Sequence, residues 1–206
     1  YNAAGEIDRW GSKYENLIFP LIILLMALLM SALAAYFGKK AEETPDEKET
    51  AEMRSTSKVL IVTGAAISAM FTIMQGFILY GAYTGAKAQA TAATVDIGKV
   101  SGILMGVLFI VLGNFIPKAR MNSVIGVRTS WSMYNETTWK KSNRFGAVAL
   151  MMAGVLTILT VIFMKSSIGA VMVSLVYLTA AVVVILIYAR KVYREERAAE
   201  EKAQSN

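Results

Sequence analysis

The chain has 206 residues, 55% of them hydrophobic and only 17% charged, and its mean hydropathy is +0.49. A water-soluble domain of this size needs far more polar surface, so that class is excluded. The formal charge of +6 would suit a nucleic-acid partner in a soluble chain, but every charge falls between apolar runs, which points to a membrane.

Five apolar runs approach or reach the roughly 20 residues that a helix needs to cross about 30 Å of hydrocarbon. They are Leu17 to Phe37, Val59 to Ala82, Val100 to Ile116, Phe145 to Met164 and Ile168 to Ala189. The third is the shortest and can extend back to Ile97. The expected fold is all-α, a polytopic transmembrane helix bundle with five spans. Alternate loops carry 16 of the 21 Lys and Arg residues on one side and five on the other. By the positive-inside rule, the 38–58 loop, the loop after the third span and the C-terminus face the cytoplasm. Residues 1–16 then lie outside.

In chain order, residues 1–16 are polar, with Gly5 and Gly11 as turn formers and Trp10 and Tyr14 as interfacial aromatics. The chain opens at Tyr1 without a Met, and upstream sequence including another span is expected. Span one is Leu-, Ile- and Met-rich and suits a lipid-facing helix. Lys39 to Lys58 holds Pro45 and eleven charged residues. This composition predicts a solvated, partly disordered linker, although Glu–Lys spacing could extend either neighbouring helix.

Span two places Gly64, Ser68, Thr72 and Gly76 at intervals of four, and span three places Gly98, Gly102 and Gly106 likewise, continuing through Ile110 to Asn114. Such spacing lets helix backbones approach closely in lipid. Helix packing is the leading reading, with a ligand crevice or a homo-oligomer seam as alternatives. Gln75 and Asn114, the most polar residues at membrane depth, are expected to make interhelical hydrogen bonds. Pro117 ends span three. Lys165, Ser166, Ser167 and Gly169 form a tight turn that makes spans four and five an antiparallel hairpin. The mixed-charge tail from Arg190 continues the last helix, and its acidic residues argue against direct nucleic-acid binding.

The chain has neither His nor Cys. That excludes Ser-His and Cys-His nucleophile pairs and His-based metal sites, and leaves disulfides silent on compartment. No Gly-rich phosphate loop occurs. Glu136 is the one carboxylate in the central loop against six cations, a poor acid–base pair. The chain therefore reads as non-enzymatic, without cofactor or metal. No proposed span holds an ionisable residue, which weakens a transporter or channel component of unknown substrate, the alternative function.

The central loop, from Pro117 to Arg144, concentrates the chemistry. Lys118 and Arg120 sit at headgroup level, where anionic lipids favour them. Ile125 to Trp131 is a short apolar stretch that turns at Gly126 and ends in an aromatic anchor. Ser132 or Asn135 can cap a short helix holding Glu136, Trp139, Lys140 and Arg144. Glu136 is placed to meet Lys140, Arg128 or Arg144. Composition alone favours an amphipathic interfacial helix that merely joins two spans.

The run G-N-F-I-P-K-x-x-x-N-x-x-I-G-V-R-T-S-W-S, followed by E-x-x-W-x-x-x-N-R-F-G, closely resembles the signature of the SdpI-like family of bacterial membrane proteins. The resemblance falls on Ile125, Gly126, Val127, Arg128, Thr129, Trp131, Glu136, Trp139, Arg144 and Phe145. Ser130 stands where the family usually has Pro, and Asn143 where it often has His. The opening N-x-x-G-E-I-D-R-W-G-S-K is similar to an external loop in a small domain that often precedes this signature. The resemblance implies three regions: 1–82 as the remnant of that domain, 98–190 as the SdpI-like domain and 191–206 as a charged tail. It also implies six helices at full length, with both termini in the cytoplasm of a bacterial plasma membrane. The function it implies is immunity against a secreted antimicrobial peptide, with a cytosolic repressor as a further partner. The expected interacting residues are Arg128, Trp131, Glu136, Trp139 and Arg144. Asn114, Pro117, Gly126 and Thr129 complete the signature, and a buried Arg–Glu contact is expected to hold the loop rigid.

Overall fold

The computed structural model describes residues 12–90, 92–118, 120–122 and 125–204. The expected turns at Gly5 and Gly11, the interfacial Trp10 and most of the opening motif lie outside those residues. The described chain forms five helices: α1 (Ile18–Glu43), α2 (Glu47–Ala88), α3 (Ile97–Phe115), α4 (Glu136–Phe163) and α5 (Ser167–Gln204). All five are long and apolar enough to cross a membrane. Their outward faces agree, since Leu21, Leu25, Leu28, Val148, Leu159, Phe163, Val176 and Ile187 are exposed. Apolar side chains turned outward in such a belt need lipid rather than water around them.

Helix α1 packs chiefly on α2, while α3, α4 and α5 pack on one another, and α2 meets α3. Phe19 lies against Phe71 with ring centroids 6.1 Å apart, and Gly64 sits against Met30. The Ser57 hydroxyl donates to the Ala34 carbonyl at 2.8 Å, and the Gln75 amide donates to the Asn16 carbonyl at 3.2 Å. Gln75 thus bonds the 3-10 turn that leads into α1 and not, as the sequence suggested, another spanning helix.

The 39–58 region extends both neighbouring helices, as the Glu–Lys spacing allowed, and is not the partly disordered linker that its composition suggested. Helix α1 runs on to Glu43 and α2 begins at Glu47, leaving a three-residue joint. Pro45 breaks the helix, and Asp46 restarts it by accepting from the N–H groups of Lys48 and Glu49 at 2.7 and 3.3 Å. Glu47 and Glu49 in the first turn suit the positive helix end. Charge density argued for solvation, and the region is solvated, but as helix. At 1.5 Å per residue α2 is about 63 Å long, twice the hydrocarbon thickness. Its first turns and the last turns of α5 therefore stand beyond the bilayer at the same end of the bundle.

The glycine stripes are also only partly as expected. Gly98 lies against the Ser167 backbone; a Cβ on Gly102 would come within 2.9 Å of Val161, and one on Gly106 within 2.8 Å of the Gly154 carbonyl. Gly154 returns the contact to the Gly106 carbonyl. The α3 stripe is therefore engaged within the chain by α4 and α5. It does not continue to Asn114, which is exposed and has no hydrogen-bond partner among the described residues. Each step of four overshoots a turn by about 40°, so Asn114 lies about 160° round from Gly98. Gly113 takes the seam instead, against Met151 and the Ala147 carbonyl. The α2 stripe precesses likewise: Gly64 is buried, Thr72 and Gly76 are exposed, and a Cβ on Gly76 would meet nothing within 4 Å.

At the far end of the bundle, Asp96 caps α3 by accepting from the Lys99 N–H at 2.9 Å and also accepts the Ser167 hydroxyl at 2.6 Å. One carboxylate thereby ties the α4–α5 hairpin to the start of α3. The connection there is short, since α4 ends at Phe163 and α5 starts at Ser167.

The two classes of glycine should separate on substitution. Gly106→Leu forces the α3–α4 backbones apart and should cost about 1–3 kcal/mol. Gly76→Leu should stay within about 0.5 kcal/mol of wild type. Unfolding midpoints in detergent micelles compare the two directly.

Candidate functional site

The segment from Ile116 to Asn135 joins α3 to α4 and carries the sequence signature. Helix α3 closes through a 3-10 turn, Ile116–Lys118, that accommodates Pro117. The Asn122 side chain then folds the chain back, donating to the Arg120 carbonyl at 2.6 Å and the Ile125 carbonyl at 3.2 Å, and accepting the Ile125 N–H at 2.7 Å. Gly126 has φ +118°, a conformation that side-chain-bearing residues rarely adopt. A Cβ there would also lie 2.5 Å from Asn143 Oδ1 and 2.9 Å from the Trp139 ring.

Asn143 is the hub of this turn. It is 1% exposed; its Oδ1 accepts the Val127 N–H at 2.7 Å, and its Nδ2 donates to the Trp139 carbonyl at 3.0 Å. Val127 then packs into the notch at Gly146. Ser132, fully buried, donates to the Val127 carbonyl at 2.6 Å and accepts the Thr129 N–H at 2.9 Å. Thr129 returns the bond by accepting the Ser132 N–H at 3.1 Å. Asn135 and Thr138 form a reciprocal cap, with Asn135 Oδ1 accepting the Thr138 N–H at 2.8 Å and Thr138 Oγ1 accepting the Asn135 N–H at 3.0 Å. The helix so capped is not a short one separate from span four: α4 is continuous from Glu136 to Phe163. No Pro or Gly stands between Glu136 and Phe145 to interrupt it.

Long-range contacts clamp the loop from both sides. On the α2 side, the Lys48 ammonium reaches the Glu136 carboxylate at 2.8 Å, with Lys140 at 3.6 Å. The hydrogen bond and charge of Lys48, then the charge of Lys140, hold the Glu136 carboxyl below the usual carboxylate range. On the α5 side, Glu200 accepts from the Tyr134 hydroxyl at 2.5 Å and from Asn135 Nδ2 at 3.2 Å. That bond pushes the Tyr134 phenol above its ordinary range. Lys141 reaches Glu196 at 3.4 Å, Tyr134 meets Tyr193 edge-on at 5.0 Å, and Phe145 stacks on Tyr188 at 4.0 Å. The Arg190 guanidinium lies 5.5 Å from the half-buried Trp131 ring.

The buried Arg–Glu contact expected from the sequence is absent among the described residues. Glu136 is half exposed and pairs with lysines, whereas Arg128 and Arg144 are exposed and make no ion pair there. The cause is reach: Lys48, brought alongside by the long α2, neutralises Glu136 in solvent. The signature residues thus divide. Gly126, Thr129 and Trp139, which is 2% exposed, build the loop, Trp131 flanks α5, and Pro117 closes α3. Arg128 and Arg144 face outward. Sequence reasoning passed over Asn122, Thr138 and Asn143 as structural centres and took Ser132 only as a candidate helix cap, the place that Asn135 fills. Asn143 four residues after Trp139 carried a usable signal, a short amide on the apolar side of a helix. Lys48, Glu196 and Glu200 come from distant segments and gave none.

The SdpI/YfhL protein family model matches residues 118–189, which hold most of this loop, α4 and the apolar part of α5. The chain is similar to the Immunity protein SdpI of Bacillus subtilis (strain 168), 33% identical over 88 residues. That match covers 43% of this chain and 42% of the relative, so the chain spans less than half the length of the curated relative it matches. No solved structure matches. Over this segment the chain resembles the SdpI/YfhL protein family.

The loop's own chemistry can be tested apart from function. Asn143→Ala strands the Val127 N–H and should cost about 1–3 kcal/mol; Gly126→Ala should cost a similar amount through its backbone conformation. Arg128→Ala and Arg144→Ala should each change stability by less than about 0.5 kcal/mol. Hydrogen exchange over residues 125–135, with unfolding midpoints, distinguishes the two pairs.

Proposed function

We propose that this chain is the membrane-embedded body of a non-enzymatic, immunity-type protein of a bacterial plasma membrane. The observation that carries the reading is the family match over 118–189, coinciding with a loop in which buried polar side chains fix the backbone. In this reading the end bearing 16 of the 21 cations faces the cytoplasm, with the C-terminus, and residues 1–16 lie outside. The outer segment and the lipid-facing helices meet a secreted antimicrobial peptide. The signature loop presents Arg128 and Arg144 to a cytosolic partner of regulatory kind. A loop already held by Asn143, Ser132 and Thr138 loses little conformational freedom on binding, which leaves more of the contact energy as affinity.

The test is survival of a sensitive bacterium that expresses the full chain under challenge with a secreted antimicrobial peptide. Expression should raise survival over an empty vector. Arg128→Ala with Arg144→Ala should leave the amount of protein in the membrane unchanged and abolish any transcriptional response. Equal survival with and without the chain would remove the immunity reading. An unchanged response in the double variant would remove the loop from signalling.

A further inference from the structure

Two hollows meet at Lys118. One is a cleft of about 410 Å³ bounded by α2, the end of α3 and the start of α4, with Lys48, Lys118, Arg120 and Lys140 in its wall beside Glu52 and Glu136. The second, also about 410 Å³, lies between α2 and α3 and is lined by Val59, Ile61, Val62 and Phe115, with Lys58 and Lys118 as its charged residues. The Lys118 ammonium stands 4.4 Å from the centre of the Phe115 ring, so one side chain borders the polar hollow and the apolar one.

Charge and depth narrow the occupant. Glu136 is satisfied by Lys48 and Lys140, which leaves Lys118, Arg120 and Lys58 facing the single further carboxylate of Glu52. Ser55 on α2 fixes this corner: its hydroxyl donates to the Lys118 carbonyl and accepts the Arg120 N–H, both at 3.4 Å. Lys58 immediately precedes the apolar run of α2, and Lys118 follows that of α3. The cations therefore lie at headgroup level, and the apolar hollow occupies the first helical turn below it. A free anion has no use for the apolar hollow, and a zwitterionic lipid has little use for the surplus cations. We propose that this corner binds one anionic phospholipid, with its phosphate among Lys58, Lys118 and Arg120 and the start of an acyl chain between α2 and α3. The assignment is independent of the immunity reading and of which leaflet this end of the bundle faces.

The test reconstitutes the full chain in bilayers of equal parts phosphatidylcholine and phosphatidylglycerol, extracts it and reads retained lipid by native mass spectrometry. Wild type should retain phosphatidylglycerol in preference. Lys118→Ala with Arg120→Ala should cut that preference roughly 25-fold, about fivefold for each cation removed near the surface. Val62→Trp, which fills the groove, should lower retention of phosphatidylglycerol with the cations intact. Arg194→Ala with Lys202→Ala, on the exposed tail of α5, should leave the preference unchanged, and inorganic phosphate should not displace the lipid. Equal retention of both lipids by wild type would overturn the proposal, as would an undiminished preference in the Lys118 and Arg120 variant. Loss of preference in the α5 variant would make the attraction diffuse. Displacement by phosphate, with retention unaffected by Val62→Trp, would make this a simple anion site.

Discussion

A chain that leaves a bilayer as one helix and re-enters as another must satisfy the backbone between them at the edge of a medium that offers few partners. Here that requirement falls on the amide of Asn143. It takes the N–H of Val127, gives a hydrogen to the carbonyl of Trp139, and occupies the space a side chain on residue 126 would need. Gly126, Trp139 and Asn143 consequently form one unit. The turn is tight because glycine permits its φ, the indole covers it because no Cβ intervenes, and the amide closes it because the backbone passes within reach. Ser132 and Thr138 extend the same logic, each buried and each spending its hydroxyl on local backbone.

With the interior of the loop satisfied by neutral groups, its charges have no structural reason to be buried. Burying an Arg–Glu pair here would have incurred a desolvation cost that short amides and hydroxyls avoid. The charges act instead as lateral ties to helices that overshoot the bilayer, Lys48 from α2 and Glu196 and Glu200 from α5. Exposed pairs of this kind add little individually. Arranged on both flanks of one loop, with the Tyr134–Tyr193 and Phe145–Tyr188 ring contacts between them, they orient it more than they stabilise it. Arg128 and Arg144 are left out of these ties and remain available.

The spans were legible because a membrane helix declares itself by a long apolar run, and all five runs became helices, although α1, α2, α4 and α5 run on into the flanking polar sequence well past the expected limits. Features that depend on a second segment were not. A glycine repeat of four gives the right helix but the wrong azimuth after four steps, which is why Gly113 and not Asn114 meets α4. Charged residues from Lys39 to Lys58 look the same in a disordered linker and in a helix projecting into water, and only the Pro45–Asp46 break with its cap distinguishes them locally. Glu136 had three cations within plausible sequence distance, yet its nearest partner, Lys48, lies 88 positions upstream. Ion pairing at a solvated surface follows whichever element passes by, and the tertiary fold decides that.

Asn143 also bears on how such a loop behaves as conditions change. Its position asks for one acceptor, toward Val127, and one donor, toward Trp139. A neutral imidazole offers the same pair of groups, so the resemblance to a family in which His often stands here is chemically coherent. The two are not equivalent under acid. Imidazole loses its acceptor on protonation near neutral pH and would then turn an N–H toward the N–H of Val127, whereas the amide does not titrate. This chain has no His at all, and it holds its most constrained turn with a group whose hydrogen bonding stays fixed across the physiological range. The loop's shape is thereby separated from the proton concentration on its side of the membrane, and the groups there that do shift, Glu136 and Tyr134, lie on its solvated flanks, away from the Gly126–Asn143 contact.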